Sequence, residues 1–150
     1  MQAESTAASA VAPINDGMVR SLDPAHGQIE LLGSRCATCG EVSLGTNAVC
    51  LNCGGDNIES IALGSEGTLW TFTVVRHRPP GNYLGPDPFE PFGVGLVELP
   101  SGLRVMTPLD GDISTFRIGD KVRLAPWLLR EGEDRRWLAF RFTAAGGSAA

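Results

Sequence analysis

Four cysteines carry the clearest chemistry in this chain. Cys36, Cys39, Cys50 and Cys53 form the pattern C-x2-C-x10-C-x2-C within CATCGEVSLGTNAVCLNCGG. Two residues between paired cysteines allow a tight turn that aims both sulfurs at one ion. Gly40 and Gly54 each follow a pair, where such a knuckle favours a positive φ that glycine adopts without strain. Four thiolates satisfy a tetrahedral zinc ion and leave no open position, so the reading is structural zinc. The same ligand set binds iron. Two disulfides are the other alternative, disfavoured in a reducing compartment. A closed four-sulfur site has no position at which to activate water, which assigns the metal to folding rather than catalysis.

Other reactive patterns are missing from the sequence. There is no nucleophile elbow, phosphate-cradling glycine loop or metalloprotease spacing, and no residue is assigned a catalytic role. His26 and His77 are isolated, and Asp110 and Asp112 flank Gly111 as turn residues do. Arg104, Arg123 and Arg141 each fall opposite the apolar set of their strand. In an OB-fold these would lie on the third, fourth and fifth strands, with the fifth between the other two. They are therefore candidate phosphate ligands, against the plainer reading of a solvated face with scattered charge.

The elements that must position these groups are short. Ile29 to Ser34 reads as a strand leading into Cys36. Period-2 runs follow at Thr68–Val75, Phe92–Leu99, Leu103–Leu109, Val122–Leu128 and Trp137–Thr143. In the second run Phe92, Val94 and Leu96 share one face and glycines the other, which places Phe92 as an anchor in the core. Trp70 reads as core; Trp127 and Trp137 fall out of phase with their strands' apolar faces, marking an exposed contact. Five short strands without helix-length connections indicate a small antiparallel barrel, with an SH3-like barrel or an open sandwich as the alternatives. Between the first two lies RHRPPGNYLGPDPFEPFG, with five prolines and three aromatic residues. Its prolines favour pre-shaped extended segments, and a slack linker rarely carries Tyr83, Phe89 and Phe92.

The chain has 150 residues, of which 29 are Gly or Pro, so many turns are expected. Its net charge is −5 and it has a single lysine, Lys121, which argues against general nucleic-acid binding. No apolar run is long enough to span a bilayer, and the N-terminus lacks the pattern of a signal peptide, so the expected location is cytoplasmic. The organisation expected is a disordered tail over 1–13, a short helix or turn over 14–28, a zinc ribbon over 29–62, an OB-fold over 63–143 and a disordered tail over 144–150.

Taken together, the four-cysteine ribbon, GTLWTFTVV, the proline-aromatic loop, PFGVGLVEL, IGDKVRL and LAFRF resemble one family over residues 28 to 143. It is the family of rubredoxin-like zinc ribbon plus OB-fold proteins that accompany thiolases. The resemblance implies a mainly β fold, with an N-terminal zinc ribbon followed by a five-stranded OB-fold barrel. It implies a non-catalytic, zinc-binding partner subunit of a thiolase or aldolase, completing or channelling an acyl-CoA site, with aromatic-compound degradation as one setting. Arg76, His77, Arg78, Tyr83 and Phe89 would then meet the partner enzyme or CoA. Two departures stand out: residues 14 to 28 supply only part of the family's N-terminal helical hairpin, and EVSLGTNAV replaces the prolines usual between the cysteine pairs. The alternative is a nucleic-acid-binding module, a role both folds serve.

Overall fold

A computed structural model describes residues 12–13, 17–23, 28–81, 83–131 and 135–145. Of the tails expected over 1–13 and 144–150, residues 1–11 and 146–150 lie outside these residues, while 12–13 and 144 belong to strands; 14–16 and 24–27 of the expected helix or turn also lie outside. Within 17–23 the chain forms a turn and then a strand, β2 (Val19–Asp23), rather than a helix. The cause is pairing: β2 lies antiparallel on β3 (Gln28–Cys36), with Val19 opposite Leu31. Both side chains enter the core, which outweighs weak local preference.

β3 is the spine of the ribbon. One edge pairs with β2 and then with β4 (Val42–Leu44), while the other pairs along its length with β5 (Ile58–Gly64). Neither β4 nor β5 is a clear strand in the sequence, because three residues and an irregular apolar pattern give no period-2 signal. β5 carries the ribbon sheet on to Gly64, across the boundary expected between residues 62 and 63.

β6 (Glu66–Val75), β7 (Phe92–Glu98), β8 (Arg104–Asp110), β9 (Lys121–Glu131) and β10 (Arg135–Ala144) close a barrel in the order β6-β7-β8-β10-β9-β6. All neighbours are antiparallel except β8 and β10. This is the closed five-stranded OB topology, with the fifth strand between the third and fourth as anticipated. β1 (Ala12–Pro13) adds a parallel pair to β10 at Trp137 and Leu138.

Two packing assignments differ from the sequence reading. A register shift between Leu69 and Thr71 marks a bulge in β6. Leu69 therefore points inward and is fully buried, and Trp70 is turned outward with 46% of its surface exposed. In β7 the inward face is Gly93, Gly95 and Val97, so Phe92 and its apolar companions lie on the outside. The barrel is too narrow there for anything larger. A Cβ on Gly93 would sit 2.3 Å from Ile113 Cδ1, and one on Gly95 would sit 2.8 Å from Leu69 Cδ1. In β9, Val122 and Leu124 are buried but Leu128 is exposed, because the β9–β10 hairpin extends past the paired part of β8.

One apolar cluster joins the two sheets. Val19, Ile29, Leu31 and Leu63 of the ribbon pack in the same core as Leu69, Val97, Val105, Leu109, Val122 and Phe142 of the barrel.

Candidate metal centre and partner surface

The two cysteine knuckles are built alike. In the first, the Gly40 N–H donates to the Cys36 carbonyl at 2.8 Å; in the second, Gly54 N–H donates to the Cys50 carbonyl at 3.0 Å. Gly40 and Gly54 have φ of 82° and 77°, the left-handed region that glycine tolerates. β3 delivers Cys36, and Cys36 N–H donates back to the Glu41 carbonyl at 2.9 Å. The second knuckle is closed by Cys50 N–H to the Gly55 carbonyl at 2.7 Å.

These turns bring all four sulfurs within 4.8 Å of one another. Cys36 and Cys53 are 3.7 Å apart, and Cys39 and Cys50 3.6 Å. A disulfide needs about 2.05 Å, and all four cysteines are free. Four sulfurs at about 2.3 Å from a central zinc stand about 3.8 Å apart in a tetrahedron, close to the spacing observed. Cys36 and Cys50 are buried and Cys39 and Cys53 exposed, so the centre lies at the surface with one side against the ribbon.

Backbone donors prepare the sulfurs for a cation. The N–H groups of Cys39 and Thr38 lower the Cys36 thiol to about 6 against the opposing effect of desolvation. Donors at Cys53 and Asn52 lower Cys50, with Asn52 N–H 3.3 Å from its sulfur. The Gly55 N–H favours the Cys53 thiolate, but the sulfurs of Cys36 and Cys39 outweigh it and push Cys53 up to about 11. Four crowded thiolates do not all ionise without a positive ion between them, so the donor set fits a metal. Asn52 adds a side-chain donor, Nδ2 to Cys39 Sγ at 3.6 Å. Sequence reading did not single it out; its place inside the second C-x2-C was the available signal.

The three candidate phosphate ligands do not converge. Arg104 lies over the Trp70 ring at 4.1 Å and bonds Glu98 at 3.2 Å. Arg141 stands over Trp127 at 4.9 Å and 3.5 Å from Asp110, with its Nε buried and unpartnered. Arg104 begins β8, while Arg141 sits beside the far end of that strand, where Phe142 pairs Leu109. Arg123, opposite Glu66 and Thr143, is exposed on the same outer face as Arg141, diagonally across β9–β10 from it and away from Arg104. Two of the three are thus held by acids and tryptophans rather than presented together to a phosphate.

The proline-aromatic loop is ordered by its own rings. Tyr83 stacks on Phe92 at 6.2 Å and tilts against Phe89 at 5.8 Å, and Phe89 meets Phe92 edge-on at 6.2 Å. Arg78 lies over Tyr83 at 5.3 Å, while Arg76 and His77 are exposed at the end of β6. Tyr83, Phe92, Pro108, Asp110, Trp127 and Arg141 line a groove of about 170 Å³. A larger open depression of about 580 Å³ sets Lys121 among Glu66, Thr68 and Glu98.

Sequence profiles of two families match consecutive segments. Residues 27–59 match the ChsH2 rubredoxin-like zinc ribbon domain and residues 60–126 the ChsH2 C-terminal OB-fold domain. The benzoylsuccinyl-CoA thiolase subunit BbsA of Thauera aromatica is 30% identical over 113 residues, covering 74% of each chain. A DUF35 domain-containing scaffold protein of Methanothermobacter thermautotrophicus is 30% identical over 107 residues, 69% of this chain and 77% of that one. A solved structure of an Ltp2–ChsH2(DUF35) aldolase superposes with a TM-score of 0.56 at 28% identity, covering 77% of this chain and 85% of the matched chain.

Proposed function

This chain belongs to the ChsH2-type (DUF35) family of rubredoxin-like zinc ribbons joined to OB-folds, and from that membership we propose that it is a zinc-binding partner subunit of a thiolase-superfamily enzyme. The observation that carries this reading is the likeness to a benzoylsuccinyl-CoA thiolase subunit across 74% of both chains. The likeness to the chain of an Ltp2–ChsH2 aldolase supports the same role. The proposed substrate class is an acyl-CoA, with an aromatic acyl group favoured by the thiolase relatives' names.

Zinc is the proposed ion, held by Cys36, Cys39, Cys50 and Cys53. The metal would crosslink the two knuckles, leaving no position for water or substrate. The chain's own contribution to catalysis is therefore shape. Arg76, His77, Arg78, Tyr83 and Phe89 are proposed to complete the partner's CoA-binding surface, with the stacked rings holding the loop ready and thereby reducing the entropy cost of docking. The proposed setting is cytoplasmic.

The test is affinity purification from the native host, with metal analysis of the complex and acyl-CoA binding measured on it. A co-purifying thiolase-superfamily enzyme, one zinc per copy of this chain and acyl-CoA bound by the pair are expected. Recovery of DNA or RNA without such an enzyme overturns the reading.

A further inference from the structure

β7 is built inside out. Its inward row is Gly93, Gly95 and Val97, while Phe92, Val94 and Leu96 face outward. Pairing continues this outer row on both sides. Leu96 stands opposite Met106 and Val94 opposite Pro108 on β8, with Thr71 and Thr73 on β6. The bulge in β6 adds Trp70, which reaches across β7 to Arg104. Met106 is 72% exposed, so the sheet face is apolar and open at its centre. Tyr83 stacks on Phe92 and extends the same surface into the aromatic groove.

The charges on this face are arranged for burial. Arg104 is tied to Glu98 and stacked on Trp70; Arg141 is near Asp110 and stacked on Trp127. A cation already held by an acid and an aromatic ring loses less on desolvation than a free one. At the end of β6, Arg76 and Arg78 have no ion pair among the described residues.

We propose that the outer face of β6–β7–β8, centred on Trp70, Leu96 and Met106 and continuous with the Tyr83–Phe92 stack, is the docking surface for the enzyme subunit. The assignment rests on the partner-subunit reading above. The complementary patch is apolar at its centre, with carboxylates at the rim that meets Arg76 and Arg78. A second copy of this chain fits less well. The relatives of this chain are subunits of thiolase and aldolase complexes, which favours an enzyme over a second copy as the occupant. An exposed apolar patch rimmed by polar groups is the usual mark of such an interface, and buried aromatics at its centre carry most of the binding energy.

The test uses the full chain and the thiolase-superfamily subunit that co-purifies with it, with affinity measured by titration and melting temperature measured alongside. Met106→Glu and Trp70→Ser are expected to weaken the complex at least ~30-fold, with Met106→Leu binding as the wild type and melting temperatures preserved. Leu51→Glu, at the exposed tip of the second knuckle, is expected to leave affinity unchanged. Wild-type affinity in both Met106→Glu and Trp70→Ser overturns the surface while leaving the partner-subunit reading intact. Failure of the wild-type chain to bind any such enzyme removes that reading and the occupant with it. A wild-type homodimer dissolved by Met106→Glu, with enzyme binding unaffected, assigns the face to a second copy and also overturns the proposal.

Discussion

At the scale of single residues, the metal centre depends on donors as much as on ligands. Cys39→Ser leaves three thiolates around the ion and is expected to abolish stoichiometric metal and soluble folding together, checked by metal analysis of the soluble fraction. Asn52→Ala keeps all four ligands but removes the Nδ2 contact to Cys39 Sγ. It is expected to weaken metal retention ~10-fold against a chelator, the range typical of groups that support a ligand. Protons compete with the metal for the same thiolates, so retention falls as pH is lowered. The backbone donors that lower the free Cys36 thiol to about 6 weaken that competition. The clustering of the four sulfurs was legible from spacing alone, because C-x2-C fixes local geometry. Asn52 was not, since nothing in the sequence says where its amide points.

At the scale of elements, β7 and the loop before it separate two kinds of apolar residue. Gly95→Val puts a branched side chain where a Cβ already meets Leu69 Cδ1 at 2.8 Å. Overpacking of this kind costs about 1–3 kcal/mol, to be read as a lower urea midpoint. The loop is expected to behave oppositely. Tyr83→Ala or Phe89→Ala removes a half-buried surface ring that packs within the loop and outside the shared core. Stability should fall little while partner binding falls ~10-fold or more, as measured by titration beside thermal melts. Strand positions were readable in the sequence, but the faces of β6 and β7 were not. Alternation reveals two faces without saying which is inside. The bulge at Leu69–Thr71 and the crowding by Ile113 and Leu109 made that choice.

At the scale of the whole molecule, ribbon and barrel share one core, in which Leu31 and Leu63 of the ribbon pack with Leu69 and Val97 of the barrel. Removing the metal should therefore lower the melting temperature of the entire chain in a single transition, monitored by calorimetry with and without chelator. Two separate transitions, with the barrel unaffected, would mean the ribbon unfolds alone. The sequence by itself determined the four-cysteine cluster, the mainly β class and the family, because these follow from local spacing and period-2 patterning. Tertiary structure alone decided the rest. It turned Trp70 and Phe92 outward, separated Arg104 from Arg141 along β8, and collected the aromatic loop onto the outer sheet. Barrel closure imposes these outcomes: interior width, bulge position and strand register are set by all five strands at once, and no single segment encodes them.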